Sequence, residues 1–213
     1  MNRVVSLMAV LILFAAGGGC LQVEKKSPHV DYMDIHENYA KIAPADIAVI
    51  PVDAVRSMDR DYRSKIRFDL YDLLLNKGYA PVALDYVDEI LADQGLLSTE
   101  PAPPRTWKTA PLRDLFFSDA LLMVSIESFA EPGLPDNEGI EIWGKIALFD
   151  AKTMDVLYEH YIRRNLILSD PGSREKYVSQ ALKVFSRELL AYLPDKPSRP
   201  VEEVEAAPGL RAE

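Results

Sequence analysis

The chain opens on an apolar run and then changes rhythm several times. Val4 to Ala16 is apolar for 13 residues, broken only by Ser6, and leads into Gly17-Gly18-Gly19-Cys20. A helix that crosses a bilayer needs roughly 20 apolar residues, so this run is short. Leu21 to about Ala43 shows no period and reads as a polar tether that becomes ordered near a folded body. Ile47-Ala48-Val49-Ile50, stopped by Pro51, predicts a short buried strand. After Met58-Asp59-Arg60-Asp61, the residues Ile66, Leu70, Leu73 and Leu74 recur at helical spacing, and Asn76-Lys77-Gly78 supplies a stop. Tyr79 to Leu84 predicts a second strand, which Pro81 places at an edge or an irregular position. Asp85 can cap a helix over 86–94 with Val87, Ile90 and Leu91 on its apolar face, and Gly95 ends it.

The second half is richer in strands. Ser98 to Lys108, with Pro101, Pro103 and Pro104, reads as a loop, and Pro111 fits the first turn of a short helix over Leu112 to Phe117. Ala120 to Phe129 is mostly apolar around Met123-Val124-Ser125-Ile126 and predicts a central strand. Beyond a loop at 131–137, Ile140, Ile142, Gly144, Ile146 and Leu148 alternate along a strand. A turn at 150–155 joins it to a partner over Val156 to Leu168, making a long β-hairpin. Ser173 starts a last helix with Tyr177, Ala181, Val184, Phe185 and Leu189 on one face. From Pro194 on, Pro197, Pro200 and Pro208 mix with Glu202, Glu203 and Glu205, a composition that predicts disorder. The order β-α-β-α-α-β-β-β-α implies one α/β domain over 44–193, a mixed sheet flanked by helices with its first strands parallel. Residues 1–20 precede it as a signal, 21–43 as a tether, and 194–213 follow as an acidic tail.

Composition sharpens the picture at the N-terminus. The 213 residues hold a single Cys, so an internal disulfide and a cysteine-cluster metal site are excluded. That Cys stands where small residues end the apolar run. A positive start at Arg3, a short apolar core and small residues make a secretory signal. The junction resembles a bacterial lipobox, in which the Cys thiol takes the lipid, with palmitate among the acyl chains, and becomes the first residue of the mature protein. Gly17 stands where the usual pattern has Leu. Leu21, rather than Asp, after the Cys implies sorting to the outer membrane. Of the 24 Lys and Arg against 33 Asp and Glu, only Arg3 leaves with the signal, so the mature chain carries 23 against 33, a formal charge of -10. Such a body repels phosphates, which argues against nucleic acid and against anchoring by an anionic membrane surface. The lipid on Cys20 is then the anchor.

Candidate chemistry inside the body is sparse. His29, His36 and His160 are scattered, with no His-Glu-x-x-His helix. No Gly-x-Ser-x-Gly elbow, phosphate loop or dinucleotide fingerprint occurs, and Gly172-Ser173 reads as a helix start. Carboxylates pair at Asp85, Asp88, Glu89 and Asp93 and at Glu138 with Glu141, but that spacing also describes a solvated acidic face. Asp59 and Asp61 with Arg56, Arg60 and Arg63 make a mixed-charge segment, a surface ion-pair loop or a docking patch. No cofactor, metal or catalytic set is implied. The aromatic candidates are Trp107, Phe116, Phe117, Trp143, Tyr158 and Tyr161. Trp143 lies on the strand face opposite Ile142 and Gly144. Tyr158 and Tyr161 lie on its hairpin partner, and aromatic residues of this kind anchor interfaces. We take Trp143, Tyr158 and Tyr161 as the candidate partner-binding residues.

Several segments resemble a family of bacterial outer-membrane lipoproteins of unknown function. They are Ile47-Ala-Val-Ile-Pro51, Leu73-Leu-Leu-Asn-Lys-Gly-Tyr79-Ala-Pro-Val-Ala83 and Val87-Asp-Glu-Ile-Leu-Ala-Asp-Gln-Gly-Leu96, with Leu112-Arg-Asp-Leu-Phe-Phe117, Asp119-Ala-Leu-Leu-Met123 and Ala147-Leu-Phe-Asp150. The likeness spans about 45–170, and departs from the family at Ala80-Pro81 and in the acidic tail. It implies a fold similar to the TolB N-terminal domain and to the periplasmic domains of CsgG and LpoB, which act by binding envelope machinery. It brings no catalytic residues. The expected function is therefore a non-enzymatic, lipid-anchored periplasmic module that binds envelope proteins. A subunit of a self-associating transport or secretion assembly is the alternative, and an enzyme acting on envelope glycans is a third reading.

Overall fold

A computed structural model describes residues 31–96, 116–131, 139–167 and 173–196. Seven strands form one mixed sheet. They are β1 (Tyr32–Ile35), β2 (Asp46–Val49), β3 (Asp53–Ala54), β4 (Ala80–Pro81), β5 (Ala120–Ala130), β6 (Ile140–Asp150) and β7 (Val156–Leu166). Among the described residues they are accompanied by the helices α1 (Asn38–Ile42), α2 (Arg60–Asn76), α3 (Leu84–Asp93) and α4 (Arg174–Leu189). The strand order is β1-β7-β6-β5-β2-β4, with β3 paired to β5. As the early crossovers predict, β2 runs parallel to β4 and to β5. β5, β6 and β7 are antiparallel, and the long hairpin is present.

One face of the sheet holds most of the core. Ile142, Ile146 and Leu148 of β6 and Tyr158 and Ile162 of β7 meet Leu70 and Leu74 of α2 and Val178, Leu182 and Phe185 of α4, all fully buried. Gly144 lies in the same row, and a Cβ there would meet Phe185 Cζ and Ile126 Cδ1 at 2.9 Å. Gly is what allows α4 to approach the sheet so closely. On the other face, Val87 and Leu91 of α3 pack on Ala48, Ile50, Leu121 and Met123 together with Phe116 and Ala151. That second cluster reaches Phe149 and includes no residue of β7.

The local signals work as expected in most places. Ser173 caps α4, its hydroxyl accepting from Lys176 N at 3.3 Å. Gly78, at φ 83°, turns the chain after α2 in a conformation that favours glycine. Asp119 of the Asp-Ala-Leu-Leu-Met run accepts from the backbone N–H of Ala45 at 2.9 Å and of Asp46 at 3.3 Å, holding the start of β2 beside β5.

Three boundaries need correction. The segment read as a tether to residue 43 contributes β1, which pairs antiparallel with β7, and α1, which buries Tyr39. Residues 194–196, read as the start of the tail, are held by the folded body. Pro194 O accepts from the Tyr79 hydroxyl at 2.7 Å, and Lys196 N donates to Lys77 O at 2.9 Å. Helix α3 starts one residue before Asp85, so Asp85 sits in its first turn instead of capping it. The signal with Cys20, the loop at 98–108, Trp107, Glu138 and the residues from 197 on lie outside the described residues, as does most of the helix expected over 112–117.

Candidate partner-binding surface

The hairpin carries a polar and aromatic face on the side away from α2 and α4. Alternation puts Glu141, Trp143 and Lys145 of β6 there, and the register sets them against Asn165, Arg163 and Tyr161 of β7. The Arg163 guanidinium lies 3.8 Å over the Trp143 ring. Arg163 Nη2 and Trp143 Nε1 both donate to Glu141 Oε1, at 2.8 and 3.1 Å. The Arg163 hydrogen bond is the main reason that the Glu141 carboxyl sits below the usual carboxylate range, with burial opposing it and Trp143 adding to it. Next along the face, Lys145 Nζ pairs with Glu159 Oε2 at 2.5 Å. Tyr161 stands between these groups. Burial pushes its phenol up, and the Glu127 carboxylate adds to the effect. Across β7, Tyr161 faces Tyr32 of β1, which is exposed.

Of the aromatic candidates, Trp143 and Tyr161 share this half-buried face, whereas Tyr158 does not. Tyr158 is fully buried against α4, and its hydroxyl donates to Leu189 O at 2.9 Å. Residues three apart on a strand point to opposite faces, so Tyr158 and Tyr161 cannot serve one surface. Tyr158 is a core residue and, contrary to the sequence expectation, no part of a binding surface. Phe116 is buried as well, whereas Phe117 is exposed.

The other candidate chemistry resolves into structural pairs. Asp88 binds Arg67 Nη1 at 2.6 Å, while Arg67 Nε donates to Val49 O at 3.0 Å. Burial lowers the pKa of this guanidinium and Asp88 opposes the shift. Within the mixed-charge segment, Arg63 closes the turn before α2 by donating to Met58 O and Val55 O at 3.0 and 3.1 Å. His160 is buried, with Nδ1 3.0 Å from Leu189 O. Among the described residues no cluster of His, Cys, Asp and Glu could hold a metal ion.

Arg163, Lys145 and Glu159 were missed by sequence reasoning, although the hairpin turn at 151–155 gives the signal. Counting back from it puts Arg163 close to Trp143. Tyr32 and its neighbours on β1 gave no local signal.

No protein-family model matches the sequence, and no curated protein matches it. Solved structures do match. The PelC dodecamer from Paraburkholderia phytofirmans gives a TM-score of 0.52 at 11% identity, covering 81% of this chain and 100% of that one. Lipoprotein GNA1162 from Neisseria meningitidis gives 0.51 at 18%, covering 70% of this chain and 99% of that one. E. coli LpoB gives 0.41 at 12%, covering 68% and 74%, too distant to carry an argument. At these identities the likeness is one of fold, and it is the α/β fold that the sequence implied.

Proposed function

We propose that this chain is a lipoprotein of the bacterial cell envelope, anchored through Cys20 at the outer membrane. Its body faces the periplasm and binds envelope proteins without catalysing a reaction. The observation that carries this reading is the placement of the chain's one Cys at the end of a short apolar run, behind three glycines. A fold shared with a Neisseria lipoprotein supports it. The binding half of the proposal is supported by the half-buried Trp143–Arg163–Tyr161 face of the hairpin. Membership of the outer-membrane lipoprotein family that the sequence resembles belongs to the same proposal.

Metabolic labelling of cells with a palmitate analogue tests the anchor. The full chain is expected to take up label and to lose the mass of residues 1–19. Cys20→Ala is expected to keep the precursor mass and take up none. An unlabelled wild type, or a labelled Cys20→Ala chain, overturns the anchor. A second reading, a subunit of a homo-oligomeric assembly, draws on the dodecameric state of the PelC structure and on the long hairpin. Native mass in mild detergent decides it, and a clean monomer at micromolar concentration counts against it.

A further inference from the structure

We infer that β1 is a docking edge for an extended segment of another protein, apolar at alternate positions with a basic residue between them. The inference rests on the reading of the body as a binding module and is independent of the lipid on Cys20.

The geometry begins with one hydrogen bond. His36 N donates to Leu157 O at 2.9 Å, and the register opposes Ile35 to Tyr158, so His36 faces Leu157 as a hydrogen-bonded pair. Such pairs alternate along an antiparallel ladder. Tyr32 and Asp34 therefore turn their backbone groups toward β7, and Met33 and Ile35 turn theirs outward. Met33 and Ile35 are also 41% and 40% exposed, and they lie on the face of His160 and Tyr158. Tyr192, 55% exposed, stands edge-on to the His160 ring at 5.3 Å on that face. Asp34 lies on the opposite face, across from Glu159. The edge thus offers N–H and C=O groups with no partner among the described residues, two apolar side chains beside an exposed aromatic, and a carboxylate between them.

The two sheet edges differ. At the β4 edge, Ala80 N and Val82 N donate inward to Ala45 O and Ile47 O, and the residue between them is Pro81, which has no N–H to offer. Edge strands are commonly blunted by Pro or Lys at outward positions. Met33 and Ile35 are neither, so among the described residues nothing closes β1 to strand addition.

Charge decides which strand fits. Antiparallel pairing with a second copy through both Met33 and Ile35 sets Asp34 directly opposite the second Asp34. Like charges so placed are destabilising. A basic residue in that position pairs with Asp34 instead, and the negative chain attracts basic segments from a distance.

The test uses the full chain in mild detergent with two peptides, Ser-Thr-Val-Lys-Val-Thr-Ser and its Glu-centred counterpart. Affinity and the exchange of the Met33 and Ile35 amides are both read. The Lys-centred peptide is expected to bind about fivefold more tightly and to protect both amides. Asp34→Lys is expected to reverse the preference. Ile35→Pro removes an outward N–H together with the Ile35 side chain while leaving the bonds to β7 in place, and is expected to abolish binding of both peptides. Should that variant unfold, the exposed Asp34→Lys carries the test alone. Equal affinities, no binding, or full binding by a folded Ile35→Pro overturn the inference. So does protection of both amides without peptide, which identifies a second copy if the mass doubles and the chain's own residues if it does not. Failure of palmitate labelling leaves this result untouched, and failure here leaves the anchor standing.

Discussion

At the scale of single residues, the informative sites are charges held by the sheet. Glu141 has its pKa lowered in the fold, chiefly by Arg163. A lowered carboxyl contributes stability that is present above its unfolded pKa and is lost as pH falls through the folded one. The stability gap between wild type and Glu141→Gln is therefore expected to be largest near neutral pH. It should shrink as pH drops below about 4. The pair is partly exposed, so the gap should stay under about 1 kcal/mol. Urea midpoints at stepped pH check this, and a gap constant down to strong acid refutes it. Arg164 is the buried counterpart. Its guanidinium holds Asp31 at 2.5 and 2.8 Å and also binds Glu188, which together raise its pKa against the effect of burial. The cation is 4% exposed while Asp31 and Glu188 reach solvent at 34% and 24%. Removing both carboxylates by Asp31→Asn with Glu188→Gln strands a buried charge and is expected to cost about 3 kcal/mol. Arg164→Met keeps volume and frees two carboxylates to hydrate, so it should cost less than half as much. The reverse order in denaturant titration would show that this account of the cluster is wrong.

At the scale of elements, the hairpin and α4 meet at Gly144. A methyl group there contacts Phe185 and Ile126 at 2.9 Å and Ser125 O at 3.1 Å, so Gly144→Ala should drive α4 from the sheet. Overpacking of this kind costs about 1–3 kcal/mol. A lowered urea midpoint is the expected reading, and an unchanged midpoint would mean that α4 yields without cost. The alternation Ile140, Ile142, Gly144, Ile146, Leu148 was legible in the sequence because burial on one face dictates it. Why the middle position is Gly was not, since Phe185 arrives from a helix 41 residues later. The same limit hid β1. Tyr32, Met33, Asp34 and Ile35 are all exposed, so no in-and-out rhythm marks them, and only their pairing with β7 makes a strand. The parity of Tyr158 and Tyr161 was readable, because an odd spacing on a strand already separates their faces. The lipobox-like junction at Cys20 is a proposal of a different kind: it rests on linear pattern alone, and its residues lie outside the described ones.

At the scale of the molecule, both ends of the described body converge on Tyr79. Its hydroxyl meets that of Tyr39 near the start and donates to Pro194 O near the end, while Lys77 Nζ donates to Leu193 O at 2.7 Å. Residues 31–43 are therefore part of what folds, and the length of any spacer between Cys20 and the body is shorter than the aperiodic sequence suggested. A chain beginning at residue 44 loses the buried Tyr39 ring, worth roughly 2–3 kcal/mol. It also loses the Asp31 partner of Arg164 and the strand that covers the outer edge of β7. The summed loss of roughly 4 kcal/mol or more approaches the whole stability of a typical domain. A chain beginning at residue 31 is expected to unfold at the same urea concentration as the full chain, whereas one beginning at 44 should unfold far earlier or fail to fold. Equal midpoints would detach β1 and α1 from the cooperative unit. They would also leave β7, with Tyr161 on it, as the true edge of the sheet, and the docking edge would then have to be sought there.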